Sequence, residues 1–328
     1  MQLKLLDILA CPKCMGELNC LSTEIHPDHE VVSGSLECKS CKSVYPIRSS
    51  IPRFILEDNY ASSFGFQWNC FKFEQIDTDT SQKSSEDRFY AETGWNNEWM
   101  NGKWILDAGC GAGRFLDIAS RSSCEVVGID ISNAVDAAAV TMRGRRNVHL
   151  VQASVYELPF KSSVFDACYS IGVIQHTPDP SKAIQSLPRL LKKDGEIALT
   201  IYERKSWTLL NAKYLTRPLT KRMNQRVLLL LIKIVMPFFY PITSLLFRIP
   251  FIGRVFMFVI PIADYAHLPG FSLKQRYRCV VLDTFDMLSP RFDYPQTRQE
   301  VEAALSSSEI VKIRRLNTDG LNLVGQKG

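Results

Sequence analysis

Between residues 104 and 202 the chain repeats short apolar runs, at 104–106, 125–129, 148–152, 164–170 and 196–202, each followed by a polar or glycine-bearing break. Runs of this length read as strands, and the longer stretches between them, 115–121, 133–142 and 182–192, read as helices, the last stopping at Asp194 and Gly195. Strands alternating with helices predict a parallel sheet covered on both faces. Further on, 299–306 reads as a helix, and 310–316 with 321–325 as an antiparallel hairpin around Thr318, Asp319 and Gly320. Two stretches break the alternation. Residues 58–102 are polar, with a loop expected at 78–85, yet carry Tyr60, Phe64, Phe66, Trp68, Phe71, Phe73, Trp95 and Trp99. Roughly ninety residues, about 203–296, separate the fifth strand from the next helix.

Composition narrows the class without naming it. With 46% hydrophobic and 22% charged residues the chain is globular, and a net charge of +5 is too mild to announce a nucleic-acid protein. Residues 1–10 carry Lys4 and Asp7 and no long apolar run, so no secretory signal is read there and a cytoplasmic location is expected. Four of the ten cysteines form two C-x-x-C pairs, Cys11 with Cys14 and Cys38 with Cys41, and the other six are scattered. Each pair is a tight turn aiming two thiolates at one point, and two such turns complete a closed tetrahedral zinc site. A segment of 57 residues buries little core, so bound zinc would carry much of its folding and its role would be structural or for docking. The competing readings are a redox dithiol and cysteines without a shared role.

The chemistry concentrates at 105–115, I-L-D-A-G-C-G-A-G-R-F. A buried strand ends in Asp107 and breaks into Gly109, Gly111 and Gly113, glycines that admit close backbone approach by a ligand. Asp130, at the end of the second strand, can accept both hydroxyls of a ribose. Those features fit a dinucleotide as well. Asp107 separates the two, since a carboxylate beside the turn would repel a pyrophosphate and suits a cationic ligand such as S-adenosylmethionine (SAM).

This stretch resembles the first motif of the class I SAM-dependent methyltransferases, and 126–132 resembles the acidic-loop motif that follows it. The resemblance implies a Rossmann-like seven-stranded sheet of order 3-2-1-4-5-7-6, which this chain interrupts with a helical insert after strand five, and places Asp107, Gly109, Gly111, Gly113, Asp130 and Ile131 at the cofactor. Residues 152–160 look like the third motif, with Ser154 where most members have Asp, so its hydroxyl or the Val155 backbone would meet the adenine amino group. Ser170 and Gly172 would lie near the transferable methyl. His176, a few residues on, could as a neutral imidazole take a proton from an acceptor hydroxyl, or could simply brace its loop.

Residues 1–57 resemble the Trm112-like zinc ribbons, some of which activate methyltransferases in trans, and 58–102 is read as a connecting arm whose aromatics either close over the ligand or pack the arm in place. Within the 103–328 methyltransferase unit, the insert opens with basic residues at 204–226 and continues almost wholly apolar to 263. Its longest uncharged run, 234–247, holds Pro237 and Pro241 and is too short to span a bilayer. It is read as a cap over the site or as short helices at a membrane interface. Both suggest a small or lipid-linked acceptor, with peripheral membrane contact as a further expectation. Residues 282–294 are read as a loop forming part of the acceptor wall. The rival readings are an RNA or protein methyltransferase docking through the ribbon, less favoured because no N-P-P-Y or D-P-P-Y run occurs, and a SAM-binding scaffold without turnover.

Overall fold

The computed structural model describes residues 1–26, 30–55, 59–80, 83–265 and 270–328. The expected boundary at 57/58 and part of the expected 78–85 loop, residues 81 and 82, lie outside the described residues. Four N-terminal strands, β1 (Leu18–Ile25), β2 (Val31–Cys38), β3 (Val44–Arg48) and β4 (Ile51–Pro52), form an antiparallel meander.

The larger sheet holds β5 (Trp104–Ala108), β6 (Glu125–Asp130), β7 (Val148–Gln152), β8 (Phe165–Ile171), β9 (Leu191–Ile201), β10 (Ile310–Arg315) and β11 (Leu321–Lys327). Its order is β7-β6-β5-β8-β9-β11-β10, with β5 to β9 parallel and β11 antiparallel to β9 and β10. Counted from β5 this is 3-2-1-4-5-7-6, as expected. The central strands are buried on both faces, which is why they read as continuous apolar runs.

One expected helix is shorter than its pattern. Residues 182–192 become helix α7 (Pro180–Ser186), then a single 3-10 turn (Pro188–Leu190), and β9 already begins at Leu191. Asp194 adopts φ +61° within β9, where the register against β8 shifts. The Asp-Gly pair therefore bends a strand and does not stop a helix.

The remaining helices are α1 (Ser62–Cys70), α2 (Asp77–Thr80), α3 (Ser84–Thr93), α4 (Asn97–Met100), α5 (Arg114–Ala119), α6 (Ala134–Thr141), α8 (Ala212–Thr220), α9 (Gln225–Leu246), α10 (Ile252–Val259), α11 (Leu273–Leu288) and α12 (Arg298–Ser306). Three apolar cores follow. One lies on the face of the sheet shared with the ribbon, where Leu5, Leu9, Leu36 and Ile47 pack in one cluster with Val127, Phe160 and Leu187. The opposite face packs Phe89, Trp95 and Met100 of the arm against Phe115 and Tyr169. A third core joins Leu228, Leu229, Ile232 and Met236 of α9 to Val281, Leu282 and Phe285 of α11, with Phe71 beside them.

The ribbon is thus fused to the sheet by packing as well as by chain. The edge strand β7 is capped by it: Phe54 N–H donates to Gln152 C=O at 2.8 Å and Arg53 bridges to Gln152, while Leu9 bridges to Phe160 in the segment after β7. Covering an edge removes unpaired backbone groups from solvent. The insert leaves and rejoins the sheet at one point, where Glu203 bridges to Gln296.

Two expectations for the insert are corrected. Residues 225–246 form one helix of 22 residues despite Pro237 and Pro241, long and apolar enough by length and composition to cross a membrane. The uncharged-run criterion missed this because single charges at Arg226 and Lys233 do not interrupt a helix. The stretch expected as a loop at 282–294 begins inside α11, since Ser272 caps that helix through a reciprocal bond pair with Gln275 and its apolar face continues to Leu288.

Candidate active site

The carboxyl ends of β5, β6 and β8, roofed by α1 and α11, enclose a cavity of about 420 Å³. The turn after β5 forms its floor. Gly109 sits at φ +97°, and a Cβ there would lie 2.3 Å from Val173 Cγ1; at Gly111 (φ +53°) a Cβ would meet the Trp68 indole at 3.0 Å. Only glycine satisfies both backbone conformation and space. Asp130 accepts from Gly111 N–H at 3.1 Å and from both Ser132 N–H and Oγ, and burial raises its pKa.

Gly109, Gly111, Asp130, Ile131, Val155, Gly172 and His176 all line this cavity, which brings together residues spread over about seventy positions. Four expected residues do not reach the wall. Gly113 lies behind the turn against Thr141 and Met142. Ser154 uses its hydroxyl to accept Tyr156 N–H at 3.1 Å, and Ser170 donates to Ala108 C=O at 2.7 Å.

Asp107 is the fourth. Its carboxylate is buried beside β8 and accepts the Tyr169 hydroxyl at 3.0 Å, and burial pushes its pKa up to about 8. Strand alternation sends it into the sheet interior, away from the ligand space. The tie between nucleotide and sulfonium ligands therefore cannot be broken by direct contact with this side chain.

His176 is fully enclosed. Its Nδ1 pairs with Phe292 C=O at 3.0 Å, which requires the proton on Nδ1 and leaves Nε2 as the lone-pair nitrogen. Nε2 is buried with no hydrogen-bond partner. The ring is flanked by Phe64 at 5.0 Å and Tyr202 at 5.5 Å between centroids. Burial lowers its pKa, opposed by Asp293 and Asp286, so the imidazole is neutral at physiological pH.

Asp283 and Asp286, in the 282–294 stretch expected at the acceptor wall, line the cavity, whereas Arg88, Arg114, Gln67 and Tyr265 carried no sequence signal. Arg88 and Arg114 enter from α3 and α5; Arg114 Nε donates to Ser85 Oγ at 2.9 Å and Nη1 to Gln75 Oε1 at 3.1 Å. Tyr265 donates to Asp283, whose pKa burial pushes up to about 6, and Gln67 Nε2 donates to Asp286 at 2.9 Å. The aromatic arm does contribute Tyr60, Phe64 and Trp68 to the wall. Of the basic residues at 204–226, Arg217 instead holds the end of α11 by donating to Met287 and Pro290 carbonyls, and Lys213 pairs with buried Asp293 at 3.0 Å.

In the ribbon, Cys11, Cys14, Cys38 and Cys41 bring their sulfurs within 4.8 Å of one another, with Sγ pairs at 3.6 Å and 3.4 Å. Tetrahedral zinc with Zn–S of about 2.3 Å spaces its sulfurs by about 3.8 Å. The donor set fits that ion.

The sheet order, the glycine turn and the acidic residue at the end of the second strand define a Rossmann-like fold of the class I SAM-dependent methyltransferases. Residues 106–199 match the model of a methyltransferase domain, and residues 2–50 match that of Trm112p-like proteins. Residues 106–199 thus carry a methyltransferase domain of the class I SAM-dependent type, and residues 2–50 form a Trm112-like region. It is similar to the ubiquinone biosynthesis O-methyltransferase of Alkalilimnicola ehrlichii, 33% identical over 129 residues that cover 37% of this chain and 52% of that protein. It is similar also to the tRNA (carboxymethyluridine(34)-5-O)-methyltransferase of Arabidopsis thaliana, 31% identical over 125 residues covering 35% of this chain and 30% of that one. The tRNA U34 carboxymethyltransferase of Aeromonas salmonicida is 30% identical over 126 residues, covering 34% and 38%. The chain thus spans between about a third and a half of the length of these relatives.

Proposed function

We propose that this chain transfers a methyl group from SAM to a hydroxyl oxygen of a small or lipid-linked acceptor, with His176 as general base. The observation that carries the reading is the His176 tautomer: Nδ1 is tied to Phe292 and Nε2 is buried without a partner, in a side chain that lines the cavity holding the glycine turn and Asp130.

The glycine floor and Asp130 fit the donor. Asp130 would accept the ribose hydroxyls, Ile131 and Val155 would flank the adenine, and the Val155 backbone would take the adenine contact because Ser154 is turned onto Tyr156. Arg88, whose Nη2 lies 3.7 Å from where a Cβ of Gly172 would stand, offers a cation for the donor's carboxylate. Bound there, SAM supplies an electrophilic methyl on a sulfonium. The chain's task is then to hold the acceptor oxygen in line, exclude water with α1 and α11, and take the hydroxyl proton on His176 Nε2. Phe64 and Tyr202 keep that nitrogen out of bulk water. The four cysteines would hold zinc, which supplies a structural cross-link to the ribbon and takes no part in transfer.

A second reading has support in the relatives named for tRNA and in the acid-free basic segment 204–226. RNA methylation would use that segment and the ribbon for docking. The test is methyl-labelled SAM incubated with the enzyme and, separately, membrane lipids, soluble metabolites and total RNA. Label in the lipid or metabolite fraction, stable to mild alkali as an ether is, and lost in His176→Ala with donor affinity retained, is expected. Label in RNA would establish the second reading in its place, and no transfer to any fraction would leave a SAM-binding scaffold.

A further inference from the structure

We propose that α8, α9 and α10 form a docking face for an anionic lipid bilayer, on which the protein lies with its cavity roof toward the membrane. Three observations meet on this face.

The first is apolar surface without a protein partner. Leu219 of α8 and Phe238 of α9 are each 72% exposed, Leu245 is 68% exposed, and Phe251, at the start of α10, is 93% exposed. Leu230 of α9 and Val255 of α10 are likewise exposed. Exposed side chains of this size on three consecutive helices far exceed the scattered apolar residues of an ordinary surface.

The second is helix orientation. α9 is apolar along most of its length; Leu228, Leu229, Ile232 and Met236 pack with α11 in the third core, and apolar residues such as Leu230, Phe238 and Leu245 stay exposed. At about 1.5 Å per residue the helix is long enough to cross a hydrocarbon core. Crossing would tear it from the third core, so the helix lies in the interface plane.

The third is charge. From 204 to 263 the sequence holds ten Lys and Arg residues and no Asp or Glu. Lys221, Arg222, Arg226, Lys233 and Arg254 are exposed and pair with no acid among the described residues. At the junction of α8 and α9, Lys221 and Arg222 join Arg291 around a polar cavity of about 410 Å³, a place for a headgroup phosphate. A second copy of the chain is a poor occupant, because a self-complementary contact would set these cations against each other. Nucleic acid would use the charges and leave the aliphatic surface in water.

The placement also serves the proposed transfer to a lipid-linked acceptor, and to that extent rests on it. α11 carries Asp283 and Asp286 on the cavity wall, and Ala263 and Tyr265, just beyond α10, line the same cavity. A lipid-linked acceptor would enter from the bilayer without crossing water.

The experiment is flotation of the full-length protein with phosphatidylcholine vesicles with and without phosphatidylglycerol. One variant replaces Leu219, Leu230, Phe238 and Leu245 with Gln; the other replaces Lys221, Arg222 and Arg226 with Gln. All these residues are exposed, so melting temperature and SAM affinity should stay at wild-type values in both. Wild-type protein is expected to float with the anionic vesicles, and each variant to lose roughly tenfold or more of that partition. Protein that stays unbound to anionic vesicles overturns the proposal. So does a dimer that the apolar variant splits, or RNA that captures the protein and strips it from vesicles. SAM binding, read on the same samples, reports separately on the methyltransferase reading.

Discussion

Arg53, at the end of the ribbon, donates from Nη1 to Gln152 Oε1 at 2.7 Å, and its Nη2 pairs with Asp136 of α6. Gln152 ends the strand whose next residues, Ala153 and Val155, line the cavity. The ribbon therefore buttresses the adenine side of the site. Replacing Arg53 with Ala should cost about 1–3 kcal/mol, because buried Gln152 and half-exposed Asp136 each lose a charge-assisted bond. Urea unfolding checks the loss, and isothermal titration should show SAM affinity falling several-fold; unchanged affinity would mean that the ribbon only stabilises.

The cysteine cluster predicts one zinc per chain by elemental analysis, lost in Cys14→Ser. Since Leu5, Leu9 and Ile47 pack in the same core as Val127 and Phe160, metal removal should lower the melting of the whole chain as one transition. A metal-free protein that melts at the wild-type temperature would refute a structural zinc.

Asp107 predicts an unusual pH dependence of stability. Burial holds its folded pKa near 8, above the ordinary value of 3.8, so between these values the folded state keeps a proton that the unfolded chain has shed. Stability contributed by this group is complete below pH 4 and is lost as pH rises toward 8, by at most about 1.4 kcal/mol per unit. Asp107→Asn keeps an acceptor for Tyr169 and cannot ionise. Its unfolding free energy should fall less steeply with pH over that window; parallel wild-type and variant curves would exclude the effect.

His176→Ala should lower kcat by about 10²–10⁴ with SAM affinity retained. Its pKa is depressed by burial, so the base is lost only below the usual imidazole range, and the acid limb of kcat should fall below about pH 6.5. A limb at or above that value would assign the proton to another group. His176→Gln, which can still bond Phe292, separates bracing from proton transfer: rescue of rate by Gln would make His176 a positioning residue.

Local pattern made the sheet legible. Apolar runs at 125–129 and 148–152 became β6 and β7 almost residue for residue, because strands buried on both faces admit little else. Glycine spacing located the cavity floor for the same reason: Gly109 and Gly111 meet constraints of φ and space that no other residue meets. The two C-x-x-C turns, close in sequence, likewise announced their cluster.

What depended on distant contacts could not be read. Strand alternation around Asp107 turned its carboxylate onto Tyr169, 62 positions away, and removed it from the wall. Arg88 and Arg114 joined the site only because α3 and α5 pack together beside the cavity. The proton position on His176 was decided by Phe292, 116 residues further on. Periodicity and spacing report what a side chain must be locally; which partner desolvates it, and which atom it leaves unpaired, is set by packing between segments far apart in the chain.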